Sequence, residues 1–311
     1  MKKRNEEMEI ISYRELEPKD EFMVLMEIAF WWPAAPSTFE KNINSDIRLK
    51  NSPVGFCATE KGRLAGFVGV MDIPTKTVDG AEEIVGGIYA VATNPLFAKR
   101  GICKALMDRA HHYFQEKKYQ FSFLTTSRTI IAYALYQKMN YVEIEKINRF
   151  PIAYKVLGKD KIVKRFGAKL DQKRVYQIYQ EFVKDKTGFM VRQRDFVRLF
   201  LEQKRFDEKK SIQMKNGYAL LTEIRNTFKI QEFVSLDDRT YEKLIDQVES
   251  YAQGGVIDRM VTCEKLLQIY KDKGYRIQEG DHSVFMVKKL GEVDFEEIYG
   301  DAFHIGMLDL F

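Results

Sequence analysis

The residues best placed to do chemistry lie at a strand–loop–helix junction that spans residues 86–107. A β-branched run stops at Asn94-Pro95, a basic loop follows, and a helical pattern begins at about Gly101. The first N–H groups of a helix have no partner within it and lie at the positive end of its dipole. Such junctions bind anions, and Lys99 and Arg100 add positive charge here. The pattern predicts a phosphate or pyrophosphate site, although similar junctions occur in proteins that bind neither.

A tyrosine on the next predicted helix is the second candidate for chemistry. Tyr136 lies in the segment Ala132–Ile144, which reads A-Y-A-L-Y-Q-K-M-N-Y-V-E-I. A phenol can protonate a departing anion as a general acid. The alternative is a tyrosine that only packs against the rest of the fold, and the residue type alone does not decide between the two.

Together, the two segments resemble the GCN5-related N-acetyltransferase (GNAT) superfamily. The first matches the motif R/Q-x-x-G-x-G/A, which cradles the coenzyme A pyrophosphate, and the second matches A-x-x-L-Y-x-K-x-G-F. The run V-A-T-x-P-x-x-x-x-R-G-I is closest to the Eis-like branch of the superfamily. Three positions depart from the motifs: Ala98 replaces Arg or Gln, Cys103 replaces Gly or Ala, and Asn140 replaces Gly. Asn tolerates the left-handed conformation that a glycine adopts.

The resemblance implies an N-acetyltransferase that moves an acetyl group from acetyl-CoA, its co-substrate, to a primary amine by direct attack. Backbone groups near Val91 and Ala92 would polarise the acetyl carbonyl, and Tyr136 would protonate the departing thiolate. The coenzyme-binding residues that the resemblance implies are Val91, Ala92, Thr93, Lys99, Arg100, Gly101, Ile102, Cys103 and Lys104. Cys103 as an acyl-accepting nucleophile is a weaker alternative, in which the helix N-terminus would lower the pKa of its thiol. A non-catalytic acyl-CoA-binding or regulatory module is the alternative function.

The general base and the acceptor site are less well defined by the sequence. Eis-like enzymes use a terminal carboxylate as the base, which makes Phe311 a candidate, against the alternative of a tail that only packs. Trp31, Trp32 and Glu83 are the predicted acceptor-binding residues, although the two tryptophans fit a hydrophobic core equally well. Six acidic residues and no Lys or Arg follow Gly291, which favours a cationic amine nearby.

The elements that must position these residues alternate along the first half of the chain. The order β-α-β-β-β-α-β-α-β predicts an α/β fold, with a GNAT-like mixed β-sheet flanked by helices. Tyr141–Asn148 is expected as the last strand of this sheet, and His111-His112 as a surface feature of the preceding helix. All seven prolines fall at or before Pro151.

The length of 311 residues favours two domains. The first, residues 1–153, is expected to be a GNAT acetyl-CoA-binding domain. The second, residues 154–311, is expected to be an α/β or α+β domain, interpreted as a degenerate GNAT-like repeat with a C-terminal tail.

Composition argues against several other classes of protein. The net charge of +5 is too small to indicate a nucleic-acid binder. Residues 155–215 do carry 18 basic and 8 acidic residues, but helix-spaced apolar residues interrupt them, as on a solvated helix.

The remaining features concern location and partners. No apolar run is long enough to span a bilayer, and three scattered cysteines fit a reducing, cytoplasmic compartment. No His or Cys spacing indicates a metal. The expected partner is a small-molecule or peptide amine, and the sequence leaves a homo-oligomer open.

Overall fold

The computed structural model describes residues 8–32, 35–158, 169–280 and 283–311. In the first half the chain runs through β1 (Glu9–Ser12), α1 (Asp20–Phe30), α2 (Pro36–Ser45), α3 (Ile47–Lys50), β2 (Gly55–Glu60), β3 (Arg63–Lys76), β4 (Glu82–Thr93), α4 (Ile102–Glu116), β5 (Phe121–Thr126), α5 (Ile131–Lys138), β6 (Val142–Glu143), α6 (Glu145–Asn148) and β7 (Ile152–Val156).

The second half continues with the same alternation of helices and strands. Its elements are α7 (Gln172–Phe182), β8 (Thr187–Gly188), α8 (Phe196–Glu202), β9 (Ile212–Met214), β10 (Gly217–Ile224), β11 (Thr227–Ser235), α9 (Asp238–Tyr251), β12 (Gly255–Asp258), α10 (Glu264–Asp272), β13 (Arg276–Gln278), β14 (Val284–Lys289), α11 (Phe295–Tyr299) and β15 (Phe303–His304).

The strands form two mixed sheets that follow one plan. The first has the order β1-β2-β3-β4-β5-β14-β6, with β8 and β15 attached at its side, and the second has the order β13-β7-β12-β11-β10-β9. In each sheet one parallel pair, β4–β5 or β11–β12, is linked by a long helix, α4 or α9. The predicted α/β class and the second, repeated α/β unit are confirmed.

Each sheet is completed by a strand from the other half of the chain. β14 lies antiparallel between β5 and β6, and β7 lies antiparallel between β12 and β13. The two halves therefore exchange strands, with β7 in the second sheet and β14 in the first. The boundary between residues 153 and 154 stays a prediction, because neither sheet is built from one side of it alone.

One prediction in the first half is wrong. Tyr141–Asn148 was expected to be a strand, but only Val142–Glu143 pairs, and α6 follows. β14 lies beside this segment as far as Ile144, whose N–H donates to the Phe285 carbonyl, and beyond it the Asn148 side chain bonds the main-chain groups of Phe285. The chain closes into a helical turn there instead.

Two consecutive glycines let other elements lie close to both faces of β4. A Cβ at Gly86 would lie 2.6 Å from the Phe114 ring of α4. A Cβ at Gly87 would lie 2.5 Å from Ile73 and 3.0 Å from Phe311 on the opposite face. Larger residues at either position would push away α4 or the C-terminal tail.

The strands β4 and β5 separate at a defined point. Their pairing runs from Gly86 with Ser122 to Ile88 with Leu124. Two residues further along β4, Ala90 adopts a φ of +48°, and the register of β4 with β3 shifts between Phe67 and Gly69. Beyond Ile88 and Leu124 the two parallel strands are no longer paired, which leaves a slot between them.

Candidate active site

The loop before α4 presents unpaired main-chain N–H groups. Lys99 and Gly101 have φ values of +63° and +78°, so two left-handed residues flank Arg100. Among the described residues, main-chain hydrogen bonds here run from the Ala98 N–H to Pro95 and from the Ala105 N–H to Gly101. The N–H groups of residues 99–104, which include the predicted Ile102, Cys103 and Lys104, are left for an anion at the helix N-terminus.

The basic side chains of this loop are not equivalent. The Arg100 guanidinium forms two hydrogen bonds with Glu60, of 2.8 and 2.9 Å, and lies 5.4 Å from the centre of the Phe97 ring. Lys104 pairs with Asp108 one turn along α4. Lys99 has no side-chain partner among the described residues and is exposed. It is therefore the loop cation most available to replace the charge lost at Ala98.

The predicted residues of β4 line the slot. Val91, Ala92 and Thr93 follow the last pair that β4 makes with β5, while Ala92 and Thr93 still pair with Phe67 and Gly66 of β3. One edge of this stretch is therefore hydrogen-bonded within the sheet, and the edge toward β5 has polar main-chain groups available for a ligand.

Tyr136 lies against the beginning of α4, on the same face of the sheet. Its side chain is 5% exposed, and its hydroxyl forms no hydrogen bond with any residue of the described chain. Burial, and then the neighbouring Cys103, raise the pKa of the phenol well above its ordinary value. The tyrosine is therefore protonated at neutral pH, which is the state that a general acid needs.

The same surroundings argue against Cys103 as a nucleophile. In that weaker alternative the helix N-terminus would lower the pKa of the Cys103 thiol, whereas in the structure this pKa is raised. Half-burial beside Tyr136 raises the pKa, since the apolar surroundings penalise the thiolate more than the helix dipole favours it.

The turn after α5 has the conformation that the motif requires. Asn140 adopts a φ of +67°, and the N–H of Tyr141 donates to the Tyr136 carbonyl. The Tyr141 hydroxyl also contacts His111 at 2.9 Å and Ser122 at 2.6 Å. His111 is buried rather than at the surface, and burial lowers its pKa to about 4.

The predicted acceptor residues are not brought together. Trp31 is 86% exposed at the end of α1, whereas Trp32 packs edge-on against Phe39, with ring centres 5.2 Å apart. Glu83 pairs with Thr75 near the beginning of β4, five residues before the last β4–β5 pair. The structure thus assigns Trp32 to the core and separates Glu83 from the slot.

The C-terminal tail lies against the sheet beside the slot. The Phe311 ring stacks on Phe189, with centres 6.1 Å apart, and fits against Gly87. Arg205 donates to the carbonyls of Leu308 and Leu310 at 3.1 and 2.9 Å. Asp309, which lies between these two leucines, forms a buried ion pair of 2.7 Å with Arg192.

The second half carries a copy of the tyrosine motif that sequence reasoning missed. α10 ends in Ile269-Tyr270-Lys271-Asp272-Lys273-Gly274-Tyr275, with Gly274 at a φ of +75° and the Tyr275 N–H donating to Tyr270. This turn reproduces the one after Tyr136. Comparison of the chain with itself would have found the repeat.

The second copy lacks the features needed to bind an anion. β11 joins α9 through a short acidic turn. The Asp237 side chain accepts a hydrogen bond from the Thr240 N–H, and Asp238 is the first residue of the helix. The hydroxyl of Tyr270 is bound to Asp258 at 3.1 Å, and burial raises the pKa of that carboxyl to about 6. In the described part of the second half, the turn before α9 is therefore no counterpart of the basic loop before α4.

Comparison with a family model agrees with this geometry. Residues 12–144 match the Acetyltransferase (GNAT) domain. The match spans the loop before α4, the slot and α5. Residues 12–144 therefore carry a GNAT acetyltransferase domain, which supports an acyltransferase.

Solved GNAT structures share the fold of nearly the whole chain. A GCN5-related N-acetyltransferase from Kribbella flavida is 15% identical with a TM-score of 0.66, over 91% of this chain and 72% of that one. Eis1 from Mycobacterium abscessus is 14% identical with a TM-score of 0.61, over 91% and 74%. A tandem GNAT protein from the clavulanic acid biosynthesis pathway is 12% identical with a TM-score of 0.52, over 93% and 100%. No curated protein sequence matches the chain.

Two searches of the described residues gave negative results. No helix in this part of the chain is both long and apolar enough to cross a membrane. No group of three or more His, Cys, Asp or Glu residues there could hold a metal ion.

Proposed function

We propose that the first half catalyses transfer of an acetyl group from acetyl-CoA to a primary amine. The observation that carries the proposal is the unpaired N–H row of residues 99–104 beside a slot that also holds a protonated Tyr136. The row suits the coenzyme pyrophosphate, and the open edge of Val91–Thr93 suits the amides of the pantetheine arm. This arrangement would place the thioester where the two strands separate.

The chemistry then needs no protein nucleophile. The lone pair of the amine attacks the acetyl carbonyl, whose oxygen is polarised by a main-chain N–H near Val91. Collapse of the intermediate breaks the carbon–sulfur bond, and the Tyr136 phenol gives its proton to the departing coenzyme A thiolate. The attacking amine loses one proton to a base, so that a neutral amide is formed.

For that base we propose the main-chain carboxylate of Phe311, in a chain that stops at this residue. The support is the position of the tail, since the Phe311 ring lies on Gly87, one residue before the last β4–β5 pair. A carboxylate that follows this ring would accept a proton on the face of the sheet opposite α4.

Substitution of Tyr136 tests the proposed acid. We expect Tyr136→Phe to lower kcat by about 100-fold or more, while acetyl-CoA binding measured by calorimetry is retained. Tyr133→Phe is the matched control, because it removes from the same helix a hydroxyl that donates to Glu143 and accepts from Gln137. Unchanged turnover of Tyr136→Phe would remove Tyr136 from the mechanism.

Tight coenzyme binding by the wild type without transfer to any amine would indicate a non-catalytic acyl-CoA-binding module.

A further inference from the structure

A cavity of about 380 Å³ lies between the two sheets, on the face of the first sheet opposite α4 and α5. From the first sheet it is lined by Thr125 of β5 and Phe285 of β14, and from the tail by Leu310. Thr125 is the first β5 residue beyond the last pair with β4. The cavity therefore begins where the slot opens and extends away from it toward the second sheet.

The middle of the cavity is mainly apolar. Its lining includes Ile147, Phe150, Ile152 and Ile257. At the end beside the slot, the Thr125 hydroxyl is buried without a hydrogen-bond partner among the described residues. An unpaired buried hydroxyl is costly, so this end suits a ligand with a polar group.

The far end of the cavity is basic. Arg259 lines it directly, and Tyr154 and Ile257 of its lining are register partners across the second sheet. The same row continues to Arg276 on one side and Lys229 on the other. Register partners project from the same face of a sheet. Arg276 and Lys229 therefore lie on the face of the second sheet that the cavity borders.

These cations have no acidic partners in the described ranges. Lys229, Arg259 and Arg276 form no ion pair there, and none of the described lining residues is Asp or Glu. Burial, Arg259 and Arg205 lower the pKa of Lys229, as expected for cations that face one another without a counter-charge.

None of the six acidic residues after Gly291 lines the cavity. Three of them pair elsewhere: Asp309 with Arg192, Asp294 with Lys289 and Asp301 with Lys146. The count of acids after Gly291 favoured a cationic amine in the sequence. The lining of the cavity favours the opposite charge.

We propose that this cavity binds the acceptor, and that the acceptor is a primary amine with a carboxylate or phosphate group held by Arg259 and Lys229. The apolar middle would contact the carbon chain of the acceptor, and the amine would lie beside Thr125 at the slot. This proposal rests on the proposed acetyl transfer, because it assigns the acceptor of the same site.

Acceptors of equal length and different charge test the proposal. The set is 6-aminohexanoate, 6-aminohexyl phosphate, hexylamine and hexamethylenediamine, each assayed for kcat/KM with acetyl-CoA. We expect the two anionic amines to exceed hexylamine by about tenfold or more, and the diamine to be the poorest substrate. The better of the two anionic amines identifies the acidic group.

Arg259→Met should remove the preference for anionic amines, so that kcat/KM for 6-aminohexanoate falls about tenfold or more, toward the value for hexylamine with the same variant. The control, Arg239→Met, makes the same change on α9, which covers the other face of the second sheet. Calorimetry of 6-aminohexanoate with coenzyme A present gives a readout that does not depend on turnover. We expect binding by the wild type and by Arg239→Met, and a loss of about tenfold or more in Arg259→Met.

The two proposals fail in different ways. Equal kcat/KM for the charged and neutral amines, or identical behaviour of Arg259→Met and Arg239→Met, would overturn the anionic acceptor and leave acetyl transfer standing. Binding of 6-aminohexanoate that depends on Arg259, without transfer to any amine, would overturn acetyl transfer and leave the anion site standing.

Discussion

At the scale of single residues, Gly101 and Gly62 form a natural pair for testing the phosphate site. Both adopt a left-handed φ, of +78° and +73°, and neither would bring a Cβ within 4 Å of another atom. An alanine at either position therefore costs only the conformational strain, about 1 kcal/mol of the free energy of unfolding.

The two alanine variants should differ in coenzyme binding alone. We expect Gly101→Ala to weaken acetyl-CoA binding by about tenfold, since the new methyl group occupies the space that the pyrophosphate would approach. Gly62 lies in the turn between β2 and β3, so the Gly62→Ala variant should bind the coenzyme like the wild type. Urea unfolding and calorimetry measure the two effects separately. Equal affinities for the two variants would show that no anion approaches Gly101.

Single residues could be predicted from the sequence where their role is local. The left-handed conformation of Asn140 and the helix start near Gly101 follow from the residue types at those positions, and the structure has both. The thiol of Cys103 could not be assessed this way, because its pKa depends on burial beside Tyr136 in another helix. Nor could the two tryptophans be told apart, since only the packing on Phe39 distinguishes Trp32 from Trp31.

At the scale of elements, the C-terminal tail offers a test of the proposed base. Removal of Leu310 and Phe311 would take away the carboxylate proposed as the base, so we expect kcat to fall by about 100-fold while acetyl-CoA binding is retained. Phe311→Leu keeps an apolar side chain of similar reach and the carboxylate, and should retain most of the activity. Steady-state kinetics of both variants at saturating acetyl-CoA make the comparison. Full activity after removal of the two residues would mean that the tail only packs.

Elements could be predicted where periodicity and turn residues agree, as for α4, β5 and α5. The prediction was wrong for Tyr141–Asn148, because the chain turns into α6 after Ile144 and the Asn148 side chain, instead of a continuing strand, bonds the main chain of Phe285. Nothing in the alternating pattern of β14 indicates that it pairs with β5, which precedes it by about 160 residues. A local pattern gives the type of an element and not its partner.

At the scale of the whole molecule, the exchange of β7 and β14 makes the proposed site depend on both halves. The slot and Tyr136 of α5 come from the first half, while β14, the cations proposed to hold the acceptor and the tail come from beyond residue 158. Length and proline distribution correctly indicated a second unit. They could not indicate the exchange, because neither length nor proline positions show which sheet β7 or β14 joins.

The exchange predicts that residues 1–158 do not fold alone. Without β14, the backbone edges of β5 and β6 have no partner, and β7 loses the sheet into which it inserts. Unpaired central strands of this kind aggregate rather than remain soluble. We therefore expect the separate first half to be insoluble, or to lack dispersed amide signals in NMR, despite containing every proposed coenzyme-binding residue.

The intact chain should unfold as one unit for the same reason. Circular dichroism reports on both halves, and the fluorescence of Trp31 and Trp32 reports on the first half. The two signals should give coincident transitions in urea. Co-expression of residues 1–158 with residues 159–311 is the control, since it supplies β14 on a separate chain and should restore a soluble complex that binds acetyl-CoA. A soluble first half that binds the coenzyme by itself, or two separate unfolding transitions, would contradict the dependence of each sheet on the other half.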